Sequence, residues 1–167
     1  MTNAEEIALI SERHYGFTDP ILSDGIVRTF IHKSCEPTKF ISNMLSDMGD
    51  LIDVEFKFVK RRRNAELKFY EIPLIAYDPK YIGNAVYYDG KWNIYVKSDI
   101  GHLKEWIYLH EFGHFLGMEH PFDDSDGDVF AYRTTTNDTV MSYNYIPSFR
   151  WRFRKMDIDT ITGMWVD

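Results

Sequence analysis

The sequence has a single cysteine, Cys35, which excludes an intramolecular disulfide and a four-cysteine zinc site alike. Any metal must therefore be held mainly by histidine or carboxylate. Basic residues are in the minority, 19 Lys and Arg against 26 Asp and Glu for a formal charge of −7. That balance argues against neutralising phosphates over a broad cationic surface, and no nucleic-acid partner is expected. Long apolar runs are also missing, since nothing approaches the roughly 18 residues that a membrane span needs. The N-terminal MTNAEEIALISERHYG carries acidic residues where a secretory signal carries positive charge. The expectation is a soluble chain with no membrane partner and no classical signal peptide; its location stays open, with secretion by another route and association with a particle as the two options. Internal repeats and low-complexity tracts are absent, and the 10 glycines and 6 prolines are scattered rather than pooled into a linker. Residues 1–167 read as one domain.

Apolar residues make up 44% and aromatics 16% of the chain, enough to build a packed core. Residues 4–13 suggest a short helix. Gly25 to His32 mixes β-branched and aromatic residues as a strand does, and Phe40, Ile41, Met44, Leu45, Met48 and Leu51 recur at helical spacing within 38–52. Alternating stretches at 54–60 and 65–72, separated by the basic Arg61-Arg62-Arg63-Asn64, predict a hairpin or a neighbouring strand pair. Two further strands, 83–88 and 92–97, flank Asp89-Gly90-Lys91, and Asp-Gly is a strong hairpin signal. Helical periodicity returns over 102–118, where Gly117 supplies the stop, and again over 156–166.

The 102–118 helix carries the strongest chemical signal, HEFGHFLGMEHP at 110–121. His110 and His114 stand one helical turn apart, so both imidazoles project from one face and can grip one zinc ion. Glu111 is rotated off the metal axis, which suits a general base taking a proton from water better than a ligand. Gly117 can adopt the left-handed backbone that ends a helix, letting the chain double back and present His120 as a third ligand. Three protein ligands leave a tetrahedral zinc with an open position, the mark of a catalytic rather than a structural site.

These residues resemble the zinc-binding motif of the metzincin metallopeptidases. Thr139-Val140-Met141-Ser142-Tyr143 resembles the methionine turn of that group, closest to its serralysin-like branch, and MDIDTITGMW resembles the Asp-Ile-x-x-Ile segment that closes serralysin-like catalytic domains. The resemblance implies an α+β zincin fold with a twisted mixed sheet above a cleft. About 1–117 would form an upper subdomain with the active-site helix, and about 118–167 a small C-terminal one. It implies one catalytic Zn2+, a metalloendopeptidase acting on protein or peptide substrates, Met141 as an apolar floor under the imidazoles, and Tyr143 as a catalytic residue that stabilises the oxyanion. It further implies that the rim strand Gly83, Asn84, Ala85, Val86, Tyr87 and Tyr88 binds substrate backbone. Neither the propeptide nor the glycine-rich calcium-binding repeats of serralysins are expected here.

Several features stay open at this level. Asp124, Asp126 and Asp128, with Asp123, offer hard oxygen ligands suited to Ca2+, or form an acidic solvated loop. The aromatic and basic run Phe149 to Lys155 reads as a wall of the cleft, and Lys60 to Arg63 as a solvated loop. Cys35 reads as a structural thiol, and His14, His32 and His102 as ordinary histidines outside the site. The rival to an enzyme is a silent or highly selective peptidase-fold module attached to a larger assembly such as a virus particle. Another HExxH hydrolase, such as a deformylase or aminopeptidase, is the third reading.

Overall fold

The computed structural model describes residues 9–75, 79–122 and 134–166; the candidate calcium ligands Asp124, Asp126 and Asp128 lie outside them. The chain is a mixed α+β structure with one five-stranded sheet and four helices among the described residues. In chain order these are α1 (Glu12–Leu22), β1 (Ile26–Ile31), α2 (Thr38–Ile52), β2 (Glu55–Phe58), β3 (Leu67–Ile72), β4 (Gly83–Tyr88), β5 (Lys91–Lys97), α3 (Lys104–Phe115) and α4 (Lys155–Trp165).

The sheet order is β2-β1-β3-β5-β4. Strands β1, β2, β3 and β5 run parallel, and β4 closes one edge antiparallel to β5. The β4–β5 connection is the expected hairpin: Asp89 and Gly90 have φ of 50° and 71°, the two left-handed residues of a type I′ turn. Alternation then sorts the faces. Val27, Thr29, Leu67, Phe69, Trp92, Ile94 and Val96 are buried on the helix-covered face, while Arg28, Lys68, Tyr70, Asn93 and Tyr95 point the other way.

One expectation needs correction. The strands at 54–60 and 65–72 are not neighbours, because β1 lies between β2 and β3 and pairs in parallel with both. Alternation shows that a stretch is a strand but not which strand it pairs with. The basic linker makes a 3₁₀ turn at Arg62–Asn64 rather than closing a hairpin, and Glu66 then ties back to Arg28 through backbone and side-chain hydrogen bonds. Residues 4–8 of the helix expected over 4–13 lie outside the described residues; beyond them Ile10 forms an antiparallel bridge with Met118, and α1 starts at Glu12. Gly16 and Pro20, both poor helix residues, hide α1 from periodicity.

Helix α3 is buried along almost its whole length, from Lys104 to Phe115, with Glu105 the exception. A helix buried all round sits between layers rather than on the surface. Phe112 packs against Phe69 of the sheet, and α2 buries Ile41, Met44, Leu45, Met48 and Ile52. At the start of α3 an amine enters the core: Lys104 Nζ bonds Glu71 at 3.0 Å and also Glu36, and Tyr108 donates to Glu71 at 3.2 Å. Burial alone would lower the pKa of this lysine, but the hydrogen bonds and charges of the two glutamates outweigh it and hold the pKa above the ordinary value. Lys104→Met should therefore leave the buried Glu71 without its countercharge, costing about 3 kcal/mol. A urea unfolding midpoint equal to wild type would contradict that reading.

Candidate metal centre

The centre is built at the C-terminal end of α3. Gly117, at φ 98°, reverses the chain there. The last carbonyls of a helix lack intrahelical partners, and here both ends of the chain supply them. Thr18 Oγ1 donates to Phe115 O at 2.5 Å, Trp165 Nε1 to Leu116 O at 2.8 Å, and Ser11 N to Gly117 O at 2.8 Å. Glu119 N in turn donates to Leu9 O at 2.8 Å. Gripped between α1 and α4, the reversed segment carries His120 back towards His110 and His114.

Ligand nitrogens of the three histidines lie within 4.8 Å of one another. His110 Nε2 and His114 Nε2 each stand 3.1 Å from His120 Nε2. The other nitrogens are already committed: His110 Nδ1 donates to Val140 O at 2.9 Å and His114 Nδ1 to Met118 O at 2.9 Å. An imidazole that donates through Nδ1 presents a lone pair at Nε2. Two lone pairs thus converge on a third ring nitrogen, and a single proton on His120 can satisfy only one of them. A cation satisfies the whole set, and N···N separations near 3 Å suit an ion bonded to nitrogen at about 2.0 Å. These three histidines are close enough to bind a metal ion.

Burial and then the neighbouring His120 imidazole push the His110 pKa down to about 3, and burial followed by His110 and His14 lowers that of His114. Both rings are neutral at pH 7, the form that binds metal. Glu111 is buried beside them, where desolvation raises its pKa to about 8 against the opposing effect of the Ala85 N–H that it accepts.

The floor of the site is the turn at 139–142. Met141 is fully buried with its thioether against Gly113, where a Cβ would come within 2.5 Å of the sulfur. Asp157, at the start of α4, anchors this turn by accepting from Thr139 Oγ1 at 2.5 Å, Val140 N at 3.1 Å and Arg154 N at 2.7 Å. Val140 O then receives both His110 Nδ1 and Trp106 Nε1. On the open side, the Tyr143 hydroxyl lies 2.7 Å from His120 Nε2 while its ring is 60% exposed. From the aromatic and basic run, Trp151 stacks on Trp106 and Arg154 lies over Trp151, while Phe149 is fully exposed. Gly83 to Tyr88 form the edge strand β4, with Val86 and Tyr88 exposed and Ala85 turned to Glu111.

His14 lies at the site, contrary to its reading as an ordinary histidine elsewhere. Its ring packs edge-on to that of His114, with centroids 5.3 Å apart, and its Nδ1 approaches Met118 O at 3.4 Å. No spacing signal links residues so far apart in sequence; the link is made by α1 docking on the end of α3. The backbone acceptors Val140 O and Met118 O were equally invisible. Asp157 did carry a signal, its place in the Asp-Ile-x-x-Ile segment.

No protein-family model matches the chain, and no curated protein matches it.

Two outcomes follow from the geometry. Equilibrium dialysis should find one tightly held divalent ion of the zinc type per chain and weak, non-stoichiometric binding in His114→Ala; equal binding by both would contradict the centre. Asp157→Ala removes the anchor of a buried turn and should lower stability by about 2–3 kcal/mol in thermal or urea unfolding. A loss within about 0.5 kcal/mol, as at an ordinary surface position, would contradict that role.

Proposed function

We propose that this protein is a zinc-dependent endopeptidase of the metzincin kind, its cleft running beneath β4 and over the three histidines. The observation that carries the reading is the convergence of three Nε2 atoms beside a buried carboxylate, with a phenol hydroxyl on the open side. Three imidazole donors and no thiolate suit zinc with one coordination position left for reactants. The mixed sheet, the reversal at Gly117 and the buried Met141 lying against Gly113 of the histidine-bearing helix support that reading. Attachment to a larger assembly is compatible with this chemistry and is a separate question.

Zinc, when bound, polarises the scissile carbonyl and lowers the pKa of water towards about 7. The chain does the rest. Val140 O and Met118 O hold His110 and His114 in one tautomer and orientation. Glu111, whose proton affinity burial has raised, accepts a proton from the attacking water and delivers it to the amine nitrogen as the C–N bond breaks. Tyr143 stands where its O–H can donate to the carbonyl oxygen as that atom gains negative charge. The outer edge of β4, which pairs with no further strand among the described residues, offers backbone groups to an extended peptide and so orients the scissile bond across the site.

Glu111→Gln keeps size and shape and loses the base. It should retain one zinc per chain while cleavage of an unfolded protein falls by at least about a hundredfold, the usual scale for losing a general base. Fragment production by Glu111→Gln at the wild-type rate would refute the assignment. A folded, zinc-loaded wild type that cuts nothing would favour the silent module.

A further inference from the structure

Strand β4 and helix α3 approach more closely at Gly83 than any side chain would permit. A Cβ built at Gly83 would stand 2.9 Å from Cδ of Glu111 and closer still to its Oε1 and to Cγ2 of Ile107. Real Cβ atoms do not approach other heavy atoms that closely, so the backbone of β4 rests directly on the ridge formed by Ile107 and Glu111, one turn apart on α3. Residue 83 does not need glycine for its backbone angles, since its φ is not positive. The demand is for space alone. Two residues along the same strand face, the Ala85 backbone N–H faces the Glu111 carboxylate and works against the effect of burial on it. As the edge strand, β4 has β5 as its ladder partner on one side, which leaves that N–H available to a side chain from below.

We propose that Gly83 and the Ala85 N–H together form a cradle that fixes the Glu111 carboxylate, and that Gly83 is a positioning residue for the general base. The inference rests on the hydrolase reading for its catalytic consequence, though the cradle itself does not. A buried glutamate has three side-chain torsions and, without a fixed partner, several rotamers. Here the N–H fixes one carboxylate oxygen, and the bare α-carbon of Gly83 leaves the volume that the group occupies. A methyl at position 83 takes that volume. The methyl also meets Ile107, so the strand shifts by a few tenths of an ångström off that side chain, while the flexible carboxylate swings away and Ala85 loses its acceptor. His110, His114 and His120 are not in that contact, and metal binding is left intact.

Gly83→Ala separates these statements. Amide hydrogen exchange of the metal-free protein should show a slow Ala85 N–H in wild type and a fast one in Gly83→Ala and in Glu111→Ala. With zinc bound at one per chain, kcat on a short peptide should fall about a hundredfold, as a misplacement near 1 Å can cause. KM should stay within about twofold, because the ground-state contacts are unchanged. Gly163→Ala, at a helical position with open space around it, should behave as wild type in all three readouts. Slow Ala85 exchange in Gly83→Ala together with unchanged kcat would overturn the proposal. Should Gly83→Ala fail to fold, Glu111→Ala decides alone, and an Ala85 amide as slow as in wild type there overturns it. If wild type cleaves nothing, the hydrolase reading fails while the exchange data still judge the cradle.

Discussion

Two hydrogen bonds from imidazole to backbone carbonyl organise this molecule, His110 Nδ1 to Val140 O and His114 Nδ1 to Met118 O. They decide which nitrogen of each ring carries a proton and aim the two Nε2 lone pairs at one point. Each carbonyl is itself held by a remote part of the chain. Val140 is pinned by Asp157 at the start of α4, and Met118 by the bridge to Ile10 before α1. The arrangement explains why α1 and α4, neither of which carries a ligand, pack on the same end of α3. Tyr15 and Trp165 stack on each other at 4.6 Å beside the turn at Gly117 and join the two clamps.

Burial then sets the electrostatics. The same desolvation that keeps His110 and His114 neutral raises the pKa of Glu111, so one environment prepares two ligands and a base in opposite directions. Strong perturbation of titratable groups is costly unless something is gained by it, and such groups concentrate at functional sites. The buried Lys104–Glu71 pair at the other end of α3 is different in kind. Its charges compensate each other, and its effect is to fix where the helix starts.

Much of the molecule was legible in its residues, and what was not has a common cause. Helix α2 was clear because Ile41, Met44, Leu45 and Met48 share a face, and all are buried. The β4–β5 hairpin was clear because Asp89-Gly90 encodes its own turn. The histidines were clear because a helix turns ligand spacing into ligand geometry. Pairings between strands were not clear, since alternation in β2 and β3 is equally compatible with any partner, and the parallel contacts with β1 are non-local. The same holds for His14, for the carbonyls of Met118 and Val140, and for the closeness of Gly83 to Glu111. Backbone acceptors and empty volume carry no residue code, and they become visible only when distant segments meet.

In the proposed function this site adds water across a peptide bond with zinc held by His110, His114 and His120. The most direct measurement is digestion of an unfolded protein in ¹⁸O-labelled water with fragments read by mass spectrometry, comparing zinc-loaded and chelated samples. Internal cleavage with one ¹⁸O in each new C-terminal carboxyl group, only in the zinc-loaded sample, is the expected result. Fragments that persist unchanged after chelation, or none from folded protein carrying one zinc per chain, would contradict it.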